Sequence, residues 1–461
     1  MTNYQPEIAG HAGPKYLAIA AAISDDIAAG RLPPDSRLPP QRDLAFRLGV
    51  TVGTVSRAYA EVTRQGLVHG EVGRGTYVLG ARRPAAAEPL PSGQDDGFID
   101  MTRNSPTQGP HGAALAATFA ELADEAHCAG LLDYGMVTGL PAHREAGTQW
   151  FARVGLEVPA ARVMVSGGAQ MGLALTVMAL TRPGDPVLVE ALAYPELLNT
   201  IRVQGRRPVP VALDEHGMMA SALDAACRAS GARLAVAVPT LHNPTAALMP
   251  EERRRELAAV VRRHDLVLLE DDVYGYLPLE RPAPIAEACP EHVIYLTSAS
   301  KSLAPGLRLS WLAAPERLLP ALSEAQRVVQ ICPPLLNAEV ARCWFADGSA
   351  EALLRWLRQE TAARQALAAE LLAGFPLHAH PASFHVYLPL PAPWRADDFV
   401  SAAREKQVGL LPASAFAAEL PAREAVRLSL SQPQTRAALS RGLTAVRDLL
   451  LSAGAGRDAI I

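Results

Sequence analysis

Residues 81–97, ARRPAAAEPLPSGQDDG, break this chain in two. Pro84, Pro89 and Pro91 stand among small and polar residues with no apolar periodicity, so no helix or paired strand runs through them; the segment is a semi-extended linker. The apolar pattern differs on its two sides, so each side must bury a core of its own. At 461 residues there is material for more than one core. Apolar residues make up 49% and charged residues 20%, which is ordinary globular usage and excludes a disordered chain.

The first domain spans 12–80. PKYLAIAAAISDDIAAG (14–30) spaces Ile19, Ile23 and Ile27 four apart, the stripe of an amphipathic helix that stops at Gly30. The proline pairs of RLPPDSRLPP then block helix. QRDLAFRLGVTVGTVSRAYAEVTRQG predicts a short helix through Leu48, a tight turn at Gly49 and a second helix from about Thr51 to Arg64, with Thr51 as N-cap. Leu44, Leu48, Val50, Val55, Tyr59 and Val62 form the buried side. That leaves Arg42, Thr51, Thr54 and Arg57 facing outward. LVHGEVGRGTYV reads as two short strands around a turn, a wing that carries Arg74. Two helices joined by a short turn, the second presenting polar and cationic groups, suit the major groove of double-stranded DNA. The net charge of −4 excludes a uniformly basic surface, yet residues 1–83 carry +3 against −7 for the rest.

From residue 98 to about 455 the pattern becomes α/β. RVMVSG, PVLVE, RLAVAVP, DLVLLE, VIYLT and RLSWLAA are short continuous apolar runs of the kind seen in parallel strands covered on both faces, with helical stretches such as PEERRRELAAVVRRHD between them. The expected fold is a large, doubly wound, mostly parallel sheet domain. FHVYLPL and AVRLSLS, after longer helices, add a smaller C-terminal α/β lobe.

The chain has three lysines, Lys15, Lys301 and Lys406, against forty arginines. A position that keeps lysine in so arginine-rich a chain is one where a neutral amine is needed, because a guanidinium stays protonated. Lys406 sits among charges in AREKQ, and Lys15 lies in the first domain. Lys301 follows the apolar strand VIYLT, where ligands collect in open α/β sheets, with Ser298, Ser300 and Arg308 around it. An amine able to form a Schiff base, two hydroxyls and a guanidinium suit an aldehyde that also carries a phosphate. VLLEDDVYGYL delivers Asp271 and Tyr274, a carboxylate for a pyridine nitrogen and a phenol for a ring oxygen. VPTLHNPTA places Asn243 in a proline-defined turn within reach of the same ring. VMVSGGAQMGLAL is a strand, glycines and a helix start, so the amides of Gly168, Ala169 and Gln170 face an anion. No companion ligands near Asp271 and Asp272 support a metal.

LPPQRDLAFRLGVTVGTVSRAYAEVTRQGLV and GRGTYV resemble the GntR family of bacterial regulators, which implies that Arg42, Thr51, Thr54 and Arg57 meet DNA with Arg74 nearby. The chain departs from that family at Val52, where arginine is common. The motifs of the second domain, in their order, resemble fold-type I aminotransferases dependent on pyridoxal 5'-phosphate (PLP). That resemblance implies that Lys301 carries the cofactor and Asp271 pairs its ring nitrogen, with Tyr274 and Asn243 on the ring oxygen and Tyr194 stacked on the ring. It further implies Gly168, Ala169, Gln170, Ser298, Ser300 and Arg308 around the phosphate, Tyr134 offered to a partner subunit, and Arg427 gripping a substrate carboxylate. A GntR-like head on such a body resembles the MocR-type regulators. This implies a homodimer whose DNA binding responds to PLP or to an amino-acid or amine effector. The competing expectation is a working aminotransferase with an appended head.

Cys128, Cys227, Cys289, Cys332 and Cys343 lack the spacing of a metal site or disulfide framework and read as buried thiols. With no apolar run long enough to span a bilayer and no leader-like start, the expected location is the cytoplasm.

Overall fold

The computed structural model describes residues 4–8, 14–29, 31–33, 36–64, 67–71, 75–78, 97–123, 129–419 and 422–455. The chain divides into two compact units, 1–94 and 95–461, and of the expected linker only Gly97 lies among the described residues.

In the first unit α1 (Lys15–Ala28), α2 (Gln41–Leu48) and α3 (Val52–Arg64) precede a hairpin of β1 (Val68–Glu71) and β2 (Gly75–Val78). The α1 stripe buries Ile19 and Ile23 and half-buries Ile27. They pack with Leu44, Val55, Tyr59 and Val62 into one small core, and each fully buried aliphatic side chain stabilises it by about 1.5–3 kcal/mol. Gly49 ends α2 at φ 62°, a left-handed conformation that glycine adopts without a Cβ penalty and that sets up the turn into α3. Thr51 caps α3 as expected, its Oγ1 accepting the Thr54 amide at 3.2 Å. The hairpin pairs Val68 with Val78 and Glu71 with Gly75. Residues 36–38 bond to β2 as a third edge, through Leu38 N to Thr76 O and Val78 N to Ser36 O, both 2.8 Å.

The second unit is built on a sheet of β3 (Val163–Ser166), β4 (Pro186–Glu190), β5 (Arg207–Val211), β6 (Leu234–Ala237), β7 (Val267–Asp271), β8 (Val293–Ser298) and β9 (Ser310–Ala313). The strand order is β3-β9-β8-β7-β6-β4-β5. Alternate residues of each strand enter two separate cores, Leu188, Ala235 and Leu268 on one face and Val189, Val236 and Leu269 on the other. Burial on both faces is why these strands read as unbroken apolar runs.

The expectation of parallel strands needs one correction. RLSWLAA becomes β9, which runs antiparallel to both β8 and β3. Residues 299–309 between β8 and β9 hold only a one-turn helix and a short 3-10 turn. That stretch is too short for the crossover a parallel neighbour requires. The return aligns Ser310 with Ser298 on one side and Ser166 on the other, so Arg308 lies at the same sheet edge as the ends of β3 and β8.

The smaller lobe has β10 (His385–Pro389), β11 (Leu411–Pro412) and β12 (Ala425–Ser429) in the order β10-β12-β11. Its core also takes Ile99 and Met101. The chain's first stretch after the linker is pinned here, since Ile99–Asp100 pairs in parallel with Val408–Gly409 and Met101 O accepts the Ser429 amide at 2.9 Å. The thiols depart in part from expectation: Cys227 and Cys289 are buried, Cys332 and Cys343 only half-buried, and Cys128 lies outside the described residues. No described helix is long and apolar enough to cross a membrane.

Candidate functional site

In the first unit Arg42, Thr51 and Arg57 are exposed, as are Gly53 and Ser56. Val52 is 44% exposed and stands on the same surface. Thr54 is less available than expected: it is half-buried, with its Oγ1 2.9 Å from Thr51 Oγ1 at the helix start. Ser56 was not singled out from sequence, although its place three residues after Gly53 and four after Val52 puts it on their exposed side of α3. Arg74 lies outside the described residues.

In the second unit the sheet delivers its chemistry at one edge. Asp271 closes β7, Lys301 follows β8, Asn243 follows β6 and Tyr194 follows β4. Strand alternation sorts the acidic run Glu270-Asp271-Asp272. Glu270 accepts the amides of Ile285 and Ala286 at 2.9 Å each, and Asp272 accepts the Tyr295 hydroxyl at 2.7 Å and pairs with Arg281. Both hold structure, although Asp272 Oδ1 is also buried without a hydrogen-bond partner. Asp271 alone faces the site, with Oδ1 buried and unpartnered; burial pushes its carboxyl up to about 7, opposed by a hydrogen bond from the Tyr194 hydroxyl.

Lys301 Nζ donates to the backbone carbonyl of Asn104. Burial, reinforced by the Arg427 charge, lowers its amine to about 8. This brings the nucleophilic form within reach of neutral pH. Arg427 on β12 is buried under the same influence, lowered to about 10. Its Nη2 donates to Thr102 O, it lies over the Phe416 ring at 5.2 Å, and its Nε and Nη1 have no partner. Two buried donors without a partner on a cation suit an anionic group such as a carboxylate.

At the other end of the site α4 (Ala169–Leu180) starts from Gly168, whose φ is 97°. A Cβ there would stand 2.7 Å from Arg308 Nη2, so the bare backbone lets the guanidinium lie against the helix start. No described residue accepts from the amides of Ala169 and Gln170. The Gln170 side chain turns away to α5 (Pro195–Val203), leaving only its amide at the site. Ser298 Oγ accepts the Ser300 amide at 3.1 Å and lies 2.8 Å from Leu309 O. Tyr134 stands 79% exposed on the body.

Asn104 and His385 were missed from sequence. Asn104 Nδ2 donates to Tyr274 Oη at 3.0 Å and lies 2.7 Å from His385 Nδ1. His385 Nε2 lies 3.1 Å from the backbone carbonyl of His242. Their partners are distant in sequence, and neither sits in a motif. Asn243 Oδ1 is buried without a partner.

Residues 96–443 match the family of aminotransferase class I and II, and residues 15–78 match bacterial regulatory proteins of the gntR family. An uncharacterized HTH-type transcriptional regulator of Bacillus subtilis (strain 168), YdeF, is 29% identical over 97% of this chain and 97% of its own length. A second, YdcR of Escherichia coli (strain K12), is 27% identical over 87% of this chain and 92% of its own. Among solved structures, LysN, the alpha-aminoadipate aminotransferase of Thermus thermophilus complexed with N-(5'-phosphopyridoxyl)-L-leucine, matches at 26% identity with TM-score 0.70, covering 78% of this chain and 94% of that one. The chain belongs to the aminotransferase class I and II family. With its gntR-family head, it is a transcription regulator of the MocR type.

Proposed function

We propose that this regulator binds operator DNA through α3 and holds PLP on Lys301, and that an amino acid or amine in the same pocket alters its grip on DNA. The observation that carries the reading is the set of buried polar atoms left unpaired: Asp271 Oδ1 and Asn243 Oδ1 at the strand ends of the large sheet, and Nε and Nη1 of Arg427 on β12 of the smaller lobe. Each such atom costs about 1–3 kcal/mol when left unsatisfied, so a ligand that pairs them together is strongly favoured.

PLP fits that set. Lys301 would hold its aldehyde carbon, Asp271 its ring nitrogen, and Tyr274 and Asn243 its ring oxygen, with Tyr194 against the ring. The amides of Ala169 and Gln170, with Ser300 and Arg308, would hold its phosphate; the expected Gly168 amide is spent on Ser166 O at 2.9 Å and the Ser298 hydroxyl on Leu309 O at 2.8 Å, so both would shape the cradle without donating to it. When bound, the cofactor supplies an electron sink next to the carbon that carries the effector's nitrogen. Arg427 orients an effector by its carboxylate. The lowered basicity of Lys301 also suits moving a proton, which favours a second reading in which the body transaminates.

The working unit in this proposal is a cytoplasmic homodimer. Leu132, Tyr134, Met136, Val328 and Ile331 are exposed, and the Gln326 side chain bonds Val137 O, joining the two stretches that carry them. An apolar surface of this kind is suited to a second copy, with Tyr134 reaching the partner's phosphate site. In the head, Arg42, Thr51, Thr54 and Arg57 of each copy would meet one half-site, with Arg74 beside it.

The test is retention of a fragment from upstream of the gene, with excess competitor DNA at fixed salt, with and without PLP. Specific retention that changes with PLP supports a cofactor-responsive regulator. Retention indifferent to PLP and to amino acids, together with amino-group transfer, would move the assignment to the enzyme.

A further inference from the structure

We infer that His385 and Asn104 are positioning residues for Tyr274: together they force its hydroxyl to accept from Asn104, so that its own proton is left for the ring oxygen of the cofactor. The inference rests on the PLP reading above and adds a direction to one of its contacts.

The argument starts at a group whose role is not adjustable. The His242 backbone oxygen can only accept, so His385 Nε2, 3.1 Å away, must carry a proton. In a neutral imidazole the other nitrogen, Nδ1, is then an acceptor. His385 is buried, and the cations of Arg427 and Lys301 stand near it; burial first and those charges second hold its basicity down to about 3, so it stays neutral at ordinary pH. Ser383 Oγ, 3.4 Å from Nδ1, spends its own proton on His385 O at 2.8 Å. The donor to Nδ1 is therefore the Asn104 amide at 2.7 Å.

This fixes which way the Asn104 amide points. Rotated by half a turn, its oxygen would face the Nδ1 lone pair, two acceptors in contact. With its nitrogen on that side, its second proton goes to Tyr274 Oη at 3.0 Å. Tyr274 must accept there, and no described residue takes the Tyr274 proton. Phe384 meets the Tyr274 ring edge-on with centroids 6.0 Å apart, which restrains the ring.

The consequence is measurable on the cofactor. A proton donated to its ring oxygen most strongly stabilises the form in which that oxygen carries uncompensated negative charge, the form with the Lys301 adduct nitrogen unprotonated. Losing the donor therefore lets that nitrogen keep its proton to higher pH.

The experiment is a pH titration of the visible absorption of the PLP-loaded full chain. It compares the wild type with Tyr274→Phe, His385→Phe and Asn104→Asp, and with each of the latter two combined with Tyr274→Phe. We expect each single change to raise the midpoint by about one pH unit, the worth of one hydrogen bond to a charged oxygen. In the Tyr274→Phe background His385→Phe should add nothing, and Asn104→Asp should add only the smaller effect of its charge. Asn104→Asp keeps the shape of the side chain, so it tests the direction of the bond even if His385→Phe does not fold. Unchanged midpoints in the single variants, or shifts of the same size in the Tyr274→Phe background, would overturn the inference. A wild type with no visible band would overturn the PLP reading itself, and this inference with it.

Discussion

The head and the body treat their polar groups in opposite ways. Arg42, Thr51, Ser56 and Arg57 stand in solvent on a domain whose small core makes no demand on them. Asp271, Tyr274, His385 and Arg427 are buried, and together with Lys301 they perturb one another's proton affinities. Exposed charges act through a screened field and combine nearly independently. Buried ones act as a unit, so removing one alters the others.

The sharpest test of that contrast is Lys301→Ala. We expect complete loss of the borohydride-reducible adduct, read by mass spectrometry of the digested protein, with DNA retention in the absence of PLP unchanged. A residual adduct on Lys406 would break the comparison. In the wild type, the rate of adduct formation should climb with pH to half-maximum near 8, since only the unprotonated amine attacks. Arg427→Leu should raise the concentration of a carboxylate effector needed for a response on the order of 100-fold, the cost of removing one partner from a buried charge pair. Titration calorimetry with PLP present measures it. Arg57→Ala should weaken DNA binding by about tenfold and reduce the slope against salt by about one. Adding Arg42→Ala should multiply the effect; a strongly non-additive pair would place the head in the same class as the body. Least of all, Thr51→Ala should cost about 1 kcal/mol of head stability through the lost cap, read by thermal unfolding.

Much of this was legible in the sequence because it is local. The α3 stripe, the Thr51 cap, the apolar strands and the residues that end them all follow from spacing within a few positions. Lys301 stood out because so few lysines remain in an arginine-rich chain. The antiparallel turn of β9 was missed because its apolar run looks like its neighbours', and only the length of the connection before it distinguishes the two. Asn104 and His385 were invisible for a different reason. Asn104 meets Tyr274 across 170 positions and His385 across 281, and nothing in either residue's neighbourhood encodes that meeting. Thr54 looked outward by helical spacing, yet its hydroxyl engages the cap next to it.

In the proposed regulator, the bond from Lys301 to the Asn104 carbonyl bears on how occupancy would be communicated. An ammonium has three protons to give; a nitrogen doubly bonded to carbon keeps one at most, and the neighbouring ring oxygen attracts it. Loading the pocket would thus take the donor away from a main-chain oxygen. That oxygen lies seven residues beyond Gly97, the last residue of the linker segment. Fully extended, this is about 25 Å of chain. The shortest covalent route from the lysine's surroundings toward the DNA-binding head begins at an atom whose hydrogen bonding reports whether the lysine is free.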